Sequence, residues 1–232
     1  EVAPGKNPPP HPFRNRIPVP EFPQGTTWLN TQGPLRMADL RGKFVLLDFW
    51  TYCCINCIHV LPELKKLEHA FPNELVVIGV HTAKFETEKD SHNISEAILR
   101  YEIEHPVIND PDQRLWNTFG VRSWPTLVLI DPRGEFVGQQ AGEIRAEQLE
   151  PILRNALPYY RHYRLLDETP VRFDLLAYQQ SPTPLRFPGK VLADEASDRL
   201  FISDSGHNRV IITRLDGTLV DVIGNGRIGR DD

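Results

Sequence analysis

Cysteine is scarce in this sequence: only three of the 232 residues are cysteines, and all three fall between positions 53 and 57. Small secreted domains that rely on disulfides spread their cysteines along the chain, so that the bonds join distant segments. The clustering therefore argues against a disulfide scaffold. It indicates local cysteine chemistry, a metal site, or inert thiols in a core.

Long apolar runs and clusters of basic residues are also missing. No apolar stretch approaches the roughly 20 residues that a membrane-spanning helix needs. The 26 basic and 31 acidic residues are interspersed and give a formal net charge of −5, whereas nucleic acids and anionic membranes bind clustered Lys and Arg. We therefore expect neither a nucleic acid nor a membrane as partner. The GxGxxG, P-loop, GxSxG and zinc-protease motifs are absent as well.

Proline, in contrast, is abundant near the start, where eight of the 21 prolines fall within residues 1–23. Proline fixes φ and donates no backbone hydrogen bond, so residues 1–24 are predicted to form an extended, proline-rich arm.

Residues 25–158 alternate between two kinds of apolar pattern. Continuous runs rich in β-branched and aromatic residues are typical of buried strands, and apolar residues at helical spacing indicate helices. The predicted strands are 27–29, 43–50, 75–81, 126–131 and 135–140, and the predicted helices are 55–70, 91–104, 110–119 and 145–157. Strands separated by helices predict a parallel sheet, to which the closing hairpin adds an antiparallel strand. This order predicts an α/β thioredoxin-like fold.

The remaining residues change character twice. Residues 159–184 are mixed and interrupted by proline, and we interpret them as a connector. Residues 185–232 contain four short apolar runs, at 190–193, 200–202, 209–214 and 219–223, which are separated by turns rich in Asp, Gly and Ser. That spacing predicts four antiparallel strands.

Cys54 and Cys57 have the spacing required for dithiol–disulfide exchange. At the start of the predicted helix, unpaired backbone N–H groups and the helix dipole favour a thiolate at Cys54. Cys57, one turn further on, is placed to resolve a mixed disulfide. Asp48 is an acid within an apolar strand, a costly position unless the carboxyl group has a function or a hydrogen-bonding role.

These residues carry a family resemblance. Asp48-Phe49-Trp50, Cys54-x-x-Cys57, Pro62 and Trp124-Pro125-Thr126 resemble the landmarks of the thioredoxin family over about residues 27–157. The resemblance implies that Asp48 moves a proton to or from the buried cysteine and that Pro125 is a cis-proline facing the cysteines. It also implies that Trp124 helps to form the substrate surface, although simple core packing is equally consistent with this residue. No cofactor is expected beyond a redox-active disulfide.

Two departures from that family leave the direction of the chemistry open. Cys53 replaces the usual Trp, and is interpreted as a small buried residue or, alternatively, as an accessory thiol. Ile55-Asn56 replaces the usual Gly-Pro, a dipeptide that tunes potential and acidity, so reduction, oxidation and isomerisation all remain open.

Other interpretations use the same residues. Cys53 and Cys57 form the CxxxC pair of copper chaperones, and Cys54, Cys57 and His59 are candidate ligands for zinc or Cu(I). Thr51-x-x-Cys54 weakly resembles peroxide-reducing enzymes. His81 and His105 are interpreted as surface or satisfied residues, and residues 84–90 as a solvated loop.

Residues 187–210 resemble an NHL repeat, one blade of a β-propeller. One blade cannot close a propeller, which needs roughly four to eight, so residues 185–232 are expected to be part of a longer protein. As a whole the chain resembles NHL repeat-containing thioredoxin-like proteins, which implies protein partners on the propeller. The location is expected to be cytoplasmic, or extracytoplasmic if a signal peptide has been removed.

The sequence therefore supports two hypotheses. The first is a thiol-disulfide oxidoreductase that exchanges disulfides with protein substrates through Cys54, Cys57 and Asp48. The second is a non-enzymatic interaction scaffold, in which the thioredoxin-like domain is inert or regulatory.

Overall fold

The computed structural model describes residues 9–179 and 181–227. Residues 1–8 of the predicted arm, residue 180 of the predicted connector and residues 228–232 of the predicted blade therefore lie outside the described residues. The chain divides into two compact units, the first of which ends at Gln179. Each unit has its own sheet.

The first unit is built around a mixed sheet of seven strands. They are β1 Ile17–Pro18, β2 Thr27–Leu29, β3 Phe44–Trp50, β4 Leu75–His81, β5 Val107–Asn109, β6 Thr126–Ile130 and β7 Glu135–Ala141. Their order across the sheet is β1-β7-β6-β3-β4-β5-β2. The pairs β3–β4 and β4–β5 are parallel, and the remaining pairs are antiparallel. This is the arrangement that the alternation of strands and helices predicts.

In the described part of the unit the α-helices are α1 Ile55–Ala70, α2 Ser91–Arg100, α3 Arg114–Thr118, α4 Ala146–His162 and α5 Leu176–Gln179. Short 3-10 helices cover Met37–Leu40 and Glu86–Lys89. None of the helices within the described ranges combines the length and apolar character needed to span a membrane.

Strand β3 is buried along its whole length because both faces of the sheet are covered. Phe44, Leu46 and Trp50 belong to the core that includes α1 and α4, whereas Val45, Leu47 and Phe49 belong to the core that includes α3. A strand with two buried faces has no polar alternation, which explains its continuous apolar run.

Several helix ends differ from the predicted ones. Helix α2 stops at Arg100, shortly before Glu102, and α3 begins only after Gln113; both flanking residues have left-handed φ values, of 53° and 57°, which α-helices exclude. Helix α4 continues through Pro158 to His162. Its last turn is held by the buried Tyr160, whose O–H donates to Asp131 Oδ2 at 2.8 Å. Strands β1 and β5, of two and three residues, were not predicted.

Residues from the predicted arm and connector pack on this first unit. Ile17–Pro18 pairs with the outer edge of β7, where a proline is tolerated because an edge strand does not need every N–H. The buried Lys43 ammonium donates to the carbonyl oxygens of Asn73, Asp167 and Thr169. It thereby ties the chain that follows α4 to the start of β3.

The second unit is a four-stranded antiparallel sheet, which confirms the predicted all-β segment. Its strands are β8 Pro188–Asp194, β9 Arg199–Asp204, β10 Arg209–Thr213 and β11 Leu219–Ile223, and they pair in sequence order. The buried Asp204 closes the turn between β9 and β10. Its carboxylate accepts hydrogen bonds from the Arg186 N–H at 2.6 Å and from His207 Nδ1 and Arg209 Nε at 2.8 Å each.

Candidate functional site

The candidate site lies where β3 ends and α1 begins. Cys54 is the N-cap of α1, and its carbonyl oxygen accepts from the N–H groups of Cys57 and Ile58 at 3.0 and 3.1 Å. The first turn of α1, all of which is described, contains no acidic side chain to neutralise the positive end of the helix dipole. Cys54 is therefore held at the N-terminal end of the helix, and Cys57 lies in its first turn.

The two cysteines differ in accessibility. Cys54 is 7% exposed and Cys57 is fully buried. Burial, followed by a hydrogen bond with the Cys54 side chain, raises the pKa of Cys57. A nearby Asp48 carboxylate raises it further. Cys57 is therefore a protonated thiol near neutral pH, and it needs a base before it can act as a nucleophile.

Asp48 lies in the sheet beneath these cysteines, on the face that α1 covers. It is 0% exposed, and neither carboxylate oxygen has a hydrogen-bond partner within the described part of the chain. Burial raises the pKa of Asp48 from 3.8 to about 7, and the charge of His105 opposes that rise. A carboxyl group with this pKa can accept or release a proton close to neutral pH.

Gly79 has no side chain and so leaves space for the indole of Trp50. It pairs with Asp48 across β3 and β4, and a Cβ at Gly79 would come within 2.9 Å of Trp50 Nε1. The indole of Trp50 thus lies over the glycine. Its N–H has no partner among the residues described.

His81 lies at the end of β4, between two aromatic rings. Its ring centroid is 5.1 Å from Trp50 and 5.3 Å from Tyr52. Burial lowers the pKa of His81 to about 4, so the ring is neutral near pH 7, and its Nε2 accepts the Tyr52 backbone N–H at 3.3 Å. The interpretation of His81 and His105 as surface or satisfied residues is wrong, since both are buried; within the described ranges one ring nitrogen of His81 and both of His105 lack a hydrogen-bond partner.

Glu88 is the residue that the sequence analysis missed. Residues 84–90 were predicted to form a solvated loop, yet Glu88 is 1% exposed. Its Oε1 accepts from the Thr51 hydroxyl at 2.7 Å and the Cys53 N–H at 3.2 Å. Its Oε2 accepts from the N–H groups of Lys84 and Phe85 at 2.7 and 3.2 Å. The only hint in the sequence was position, because the loop follows a buried strand of the same sheet.

The interpretation of Cys53 as a small buried residue is wrong, because its side chain is exposed. Partial desolvation, followed by the neighbouring Glu88 carboxylate, raises the pKa of Cys53. The exposed thiol is therefore mainly protonated near pH 7. It differs from Cys54 and Cys57 in its exposure, since both of those residues are buried.

Trp124 and Pro125 lie at the same edge of the sheet as the cysteines, since Thr126, at the start of β6, pairs with Phe49, near the end of β3. The Trp124–Pro125 peptide bond is cis. The Trp124 N–H donates to the Thr82 carbonyl oxygen at 3.0 Å, and its ring lies 4.2 Å from that of Trp116. Lys84 Nζ lies 5.0 Å from the Trp124 ring centroid, so Trp124 combines packing with a partly exposed face.

The cysteines and His59 do not form a three-ligand metal cluster within the described residues. His59 is exposed and pairs with Glu143 at 3.1 Å. The group whose ligand atoms do come within 4.8 Å of one another is His11, Asp131 and Glu135. Arg16 lies 3.8 Å from the Glu135 carboxylate, so a cation already faces that group.

Comparison with known proteins places this site in a family context. A family model described as thioredoxin-like matches residues 42–136. Thiol-disulfide oxidoreductase ResA of Bacillus thuringiensis is 31% identical over 124 residues, which are 53% of this chain and 69% of ResA. A solved structure described as a thioredoxin-like protein in the oxidised form is 28% identical, with a TM-score of 0.55 over 62% of this chain and 96% of that chain.

A second likeness extends over both units. NHL repeat-containing protein 2 of Homo sapiens is 45% identical over 217 residues, which are 92% of this chain. The chain spans 30% of the length of that relative. From the match to ResA, the thioredoxin-like family model and this likeness along both units, the chain belongs to the thioredoxin-like family, as an NHL repeat-containing member.

Proposed function

We propose that this chain exchanges disulfides with protein substrates, with Cys54 as the nucleophile, Cys57 as the resolving thiol and Asp48 as the base. The observation that carries the proposal is the placement of Cys54 at the N-cap and Cys57 in the first turn of α1, with Cys57 close enough to the buried Asp48 to feel its charge. Burial raises the pKa of Asp48 to about 7. The family resemblance and the ResA match support the same chemistry.

Reduction of a substrate disulfide proceeds in two exchange steps. The Cys54 thiolate attacks one sulfur of the substrate, the substrate S–S bond breaks, and the departing thiolate takes a proton from water. Asp48 then accepts the Cys57 proton, and the Cys57 thiolate attacks the Cys54 sulfur. The second substrate thiolate leaves and is protonated, the protein pair is oxidised to a disulfide, and an external dithiol restores it.

The sequence offers matched variants to test this proposal. Cys54→Ser removes the nucleophile, Cys57→Ser should trap the mixed disulfide, and Cys53→Ser changes an adjacent thiol outside the pair. Reduction of a fluorescent peptide disulfide by a dithiol is measured with each variant. We expect Cys54→Ser to lose the rate above background, Cys57→Ser to accumulate the covalent adduct, and Cys53→Ser to keep most of the rate.

Equal rates for the wild-type protein and Cys54→Ser would favour the interaction-scaffold hypothesis instead. Circular dichroism of each variant shows whether a lost rate reflects unfolding. Equilibration of the Cys54–Cys57 pair in glutathione buffers gives its reduction potential, which decides between net reduction and net oxidation of substrates.

A further inference from the structure

If Asp48 acts as proposed, it must release each proton that it accepts from Cys57. Each exchange that forms the protein disulfide leaves one proton on Asp48, which is 0% exposed. That proton must reach solvent before the carboxylate can serve again. A route past the first turn of α1 would have to pass the buried Cys57 and the substrate, so the proton needs an exit elsewhere.

The segment beyond Gly79 brings an ionisable side chain, His105, near Asp48. The Gly79 N–H donates to the Pro106 carbonyl oxygen at 2.9 Å, and Gly79 pairs with Asp48 on one side and with Val107 on the other. His105 therefore lies one strand beyond the glycine, close enough for its charge to act on Asp48. It is 3% exposed.

His105 is held firmly in this position. The buried Asn30 side chain donates from Nδ2 to the carbonyl oxygens of Ile103 and His105, at 2.8 Å each. The ring itself has its Nδ1 at 3.2 Å from Glu68 Oε1, an ion-pair distance without the geometry of a hydrogen bond. The Glu68 side chain is 22% exposed, so one edge of the imidazole faces a carboxylate that reaches solvent.

The opposite edge of the ring faces the protein interior. Its Nε2 is buried and, like the two Asp48 oxygens and Trp50 Nε1, has no hydrogen-bond partner within the described residues. Buried polar groups of this kind are ordinarily satisfied by ordered water. An imidazole that receives a proton at one nitrogen and releases one at the other is a proton shuttle.

We propose, on the basis of the exchange function above, that His105 and Glu68 form a proton route between Asp48 and solvent. When Cys57 is deprotonated, its proton moves to the Asp48 carboxylate and then, through water, to His105 Nε2. The proton on Nδ1 passes to Glu68 and from there to solvent. The leaving substrate thiolate takes a proton from solvent. Formation of a substrate disulfide by the oxidised protein reverses each step.

The groups that face this route are few. Cys57 faces Asp48 from α1, and His105 faces it from the segment before β5. The residues that flank Asp48 in the sheet, Gly79 and Leu127, carry no charge. Beyond His105, Lys65 lies near Glu68. His105 is thus a positioning residue that acts through Asp48.

The test separates the two chemical steps by stopped-flow mixing of the reduced protein with the fluorescent peptide disulfide. Attack by Cys54 is measured in the Cys57→Ser background, and release of the second peptide thiol in the presence of Cys57. His105→Gln should leave attack unchanged and slow release by about tenfold. Glu68→Gln, a surface change that keeps the shape of the side chain, should slow release in the same direction, whereas Glu104→Gln, which loses only an exposed pair with Lys65, should not.

A double mutant distinguishes a proton route from a structural effect. In the Asp48→Asn background, His105→Gln should cause no further slowing of release, because the route then has no proton to carry. Equal slowing in both backgrounds, or unchanged release in both His105→Gln and Glu68→Gln, would overturn the inference. Absence of release in the wild-type protein would instead overturn the proposed function.

Discussion

The Glu88 carboxylate accepts the backbone N–H of Cys53 at 3.2 Å, across 35 residues of sequence. The same oxygen accepts the Thr51 hydroxyl, and the other oxygen accepts the N–H groups of Lys84 and Phe85. All four groups are donors, so the site requires an ionised carboxylate. Burial alone would raise the pKa of Glu88, but hydrogen bonds from Cys53, Thr51 and the backbone hold it below its ordinary value.

Replacing Glu88 with Gln should therefore loosen the loop that carries the cysteines. The Gln amide offers one acceptor oxygen and turns an NH2 group toward two of the four donors. We expect the free energy of unfolding to fall by about 3 kcal/mol, as measured by urea denaturation of the reduced protein. Peptide-disulfide reduction should slow in parallel, because Cys53 and Thr51 set the entry to α1.

The matched control is Glu86→Gln, in the same 3-10 helix, where the side chain is exposed and pairs with Lys89. It should change neither quantity measurably. A second readout uses Cys53 as the sole thiol, in a Cys54→Ser/Cys57→Ser background. Since the Glu88 charge contributes to the raised pKa of Cys53, Glu88→Gln should shift the pH profile of Cys53 alkylation to lower pH. An unchanged profile would contradict an ionised Glu88 beside Cys53.

Gly79 gives a prediction about packing. A Cβ there would lie 2.9 Å from Trp50 Nε1 and 3.2 Å from Val107 Cγ2, so Gly79→Ala should overpack the core and cost about 1–3 kcal/mol. Gly138 in β7 is the control, because its Cβ would meet nothing within 4 Å and its φ is not left-handed. Gly138→Ala should be neutral or slightly stabilising. Thermal unfolding of the two variants measures the contrast, and equal melting temperatures would contradict the packing described around Trp50.

These elements show what the sequence could and could not reveal. The bounds of α1 and β4 were predicted correctly because continuous burial and helical spacing are local patterns. Asp48 stood out because an acid interrupted an apolar strand. Glu88 did not, because a buried carboxylate surrounded by charged neighbours looks the same in sequence as an exposed one. Its burial depends on donors from Thr51 and Cys53, which only the folded chain brings to it.

Strand β5 was not predicted, for a related reason. Val107–Asn109 contains three residues, too few for a pattern of alternation, and becomes a strand because β2 and β4 pair with its two edges. His105 precedes that strand, so its burial could not be foreseen without it. What the sequence predicts best is therefore the scaffold and the cysteine pair, and what it predicts least is the polar groups that contact them from distant segments.

Asp48 predicts an unusual dependence of stability on pH. Its pKa is about 7 in the folded protein, against 3.8 ordinarily, so between these values the folded state holds a proton that the unfolded state has lost. The contribution of Asp48 to stability is therefore full below pH 4 and is lost as pH rises through 7, with a total of up to about 4 kcal/mol. His105 and Cys57 face this carboxyl group.

Asp48→Asn removes that dependence. The difference in free energy of unfolding between Asp48→Asn and the wild-type protein should grow in favour of the variant from pH 4.5 to pH 7.5, as measured by urea denaturation under reducing conditions. Asp39→Asn is the control, since the hydrogen bond from Arg36 lowers the pKa of that exposed acid. A difference for Asp48→Asn that is independent of pH would show that its carboxyl group titrates normally.

Asp204 gives the corresponding prediction for the second unit, with the opposite sign. Burial alone would raise its pKa, but the Arg186 N–H and the Arg209 and His207 side chains together lower it, so its stabilising effect is present at neutral pH and is lost as pH falls. Asp204→Ala leaves these donors without a buried acceptor and should cost about 2–3 kcal/mol.

Hydrogen exchange of the β9 and β10 amides measures this loss in the intact chain, because the two strands flank the turn that Asp204 closes. Protection should fall in Asp204→Ala at pH 7, while Asp221→Ala, which changes an exposed acid on β11, should leave it unchanged. If the carboxylate holds the sheet together, acidification of the wild-type protein must reduce protection in the same amides. Stable protection in Asp204→Ala would mean that strand pairing alone maintains the turn and that the three hydrogen bonds are a consequence of the fold.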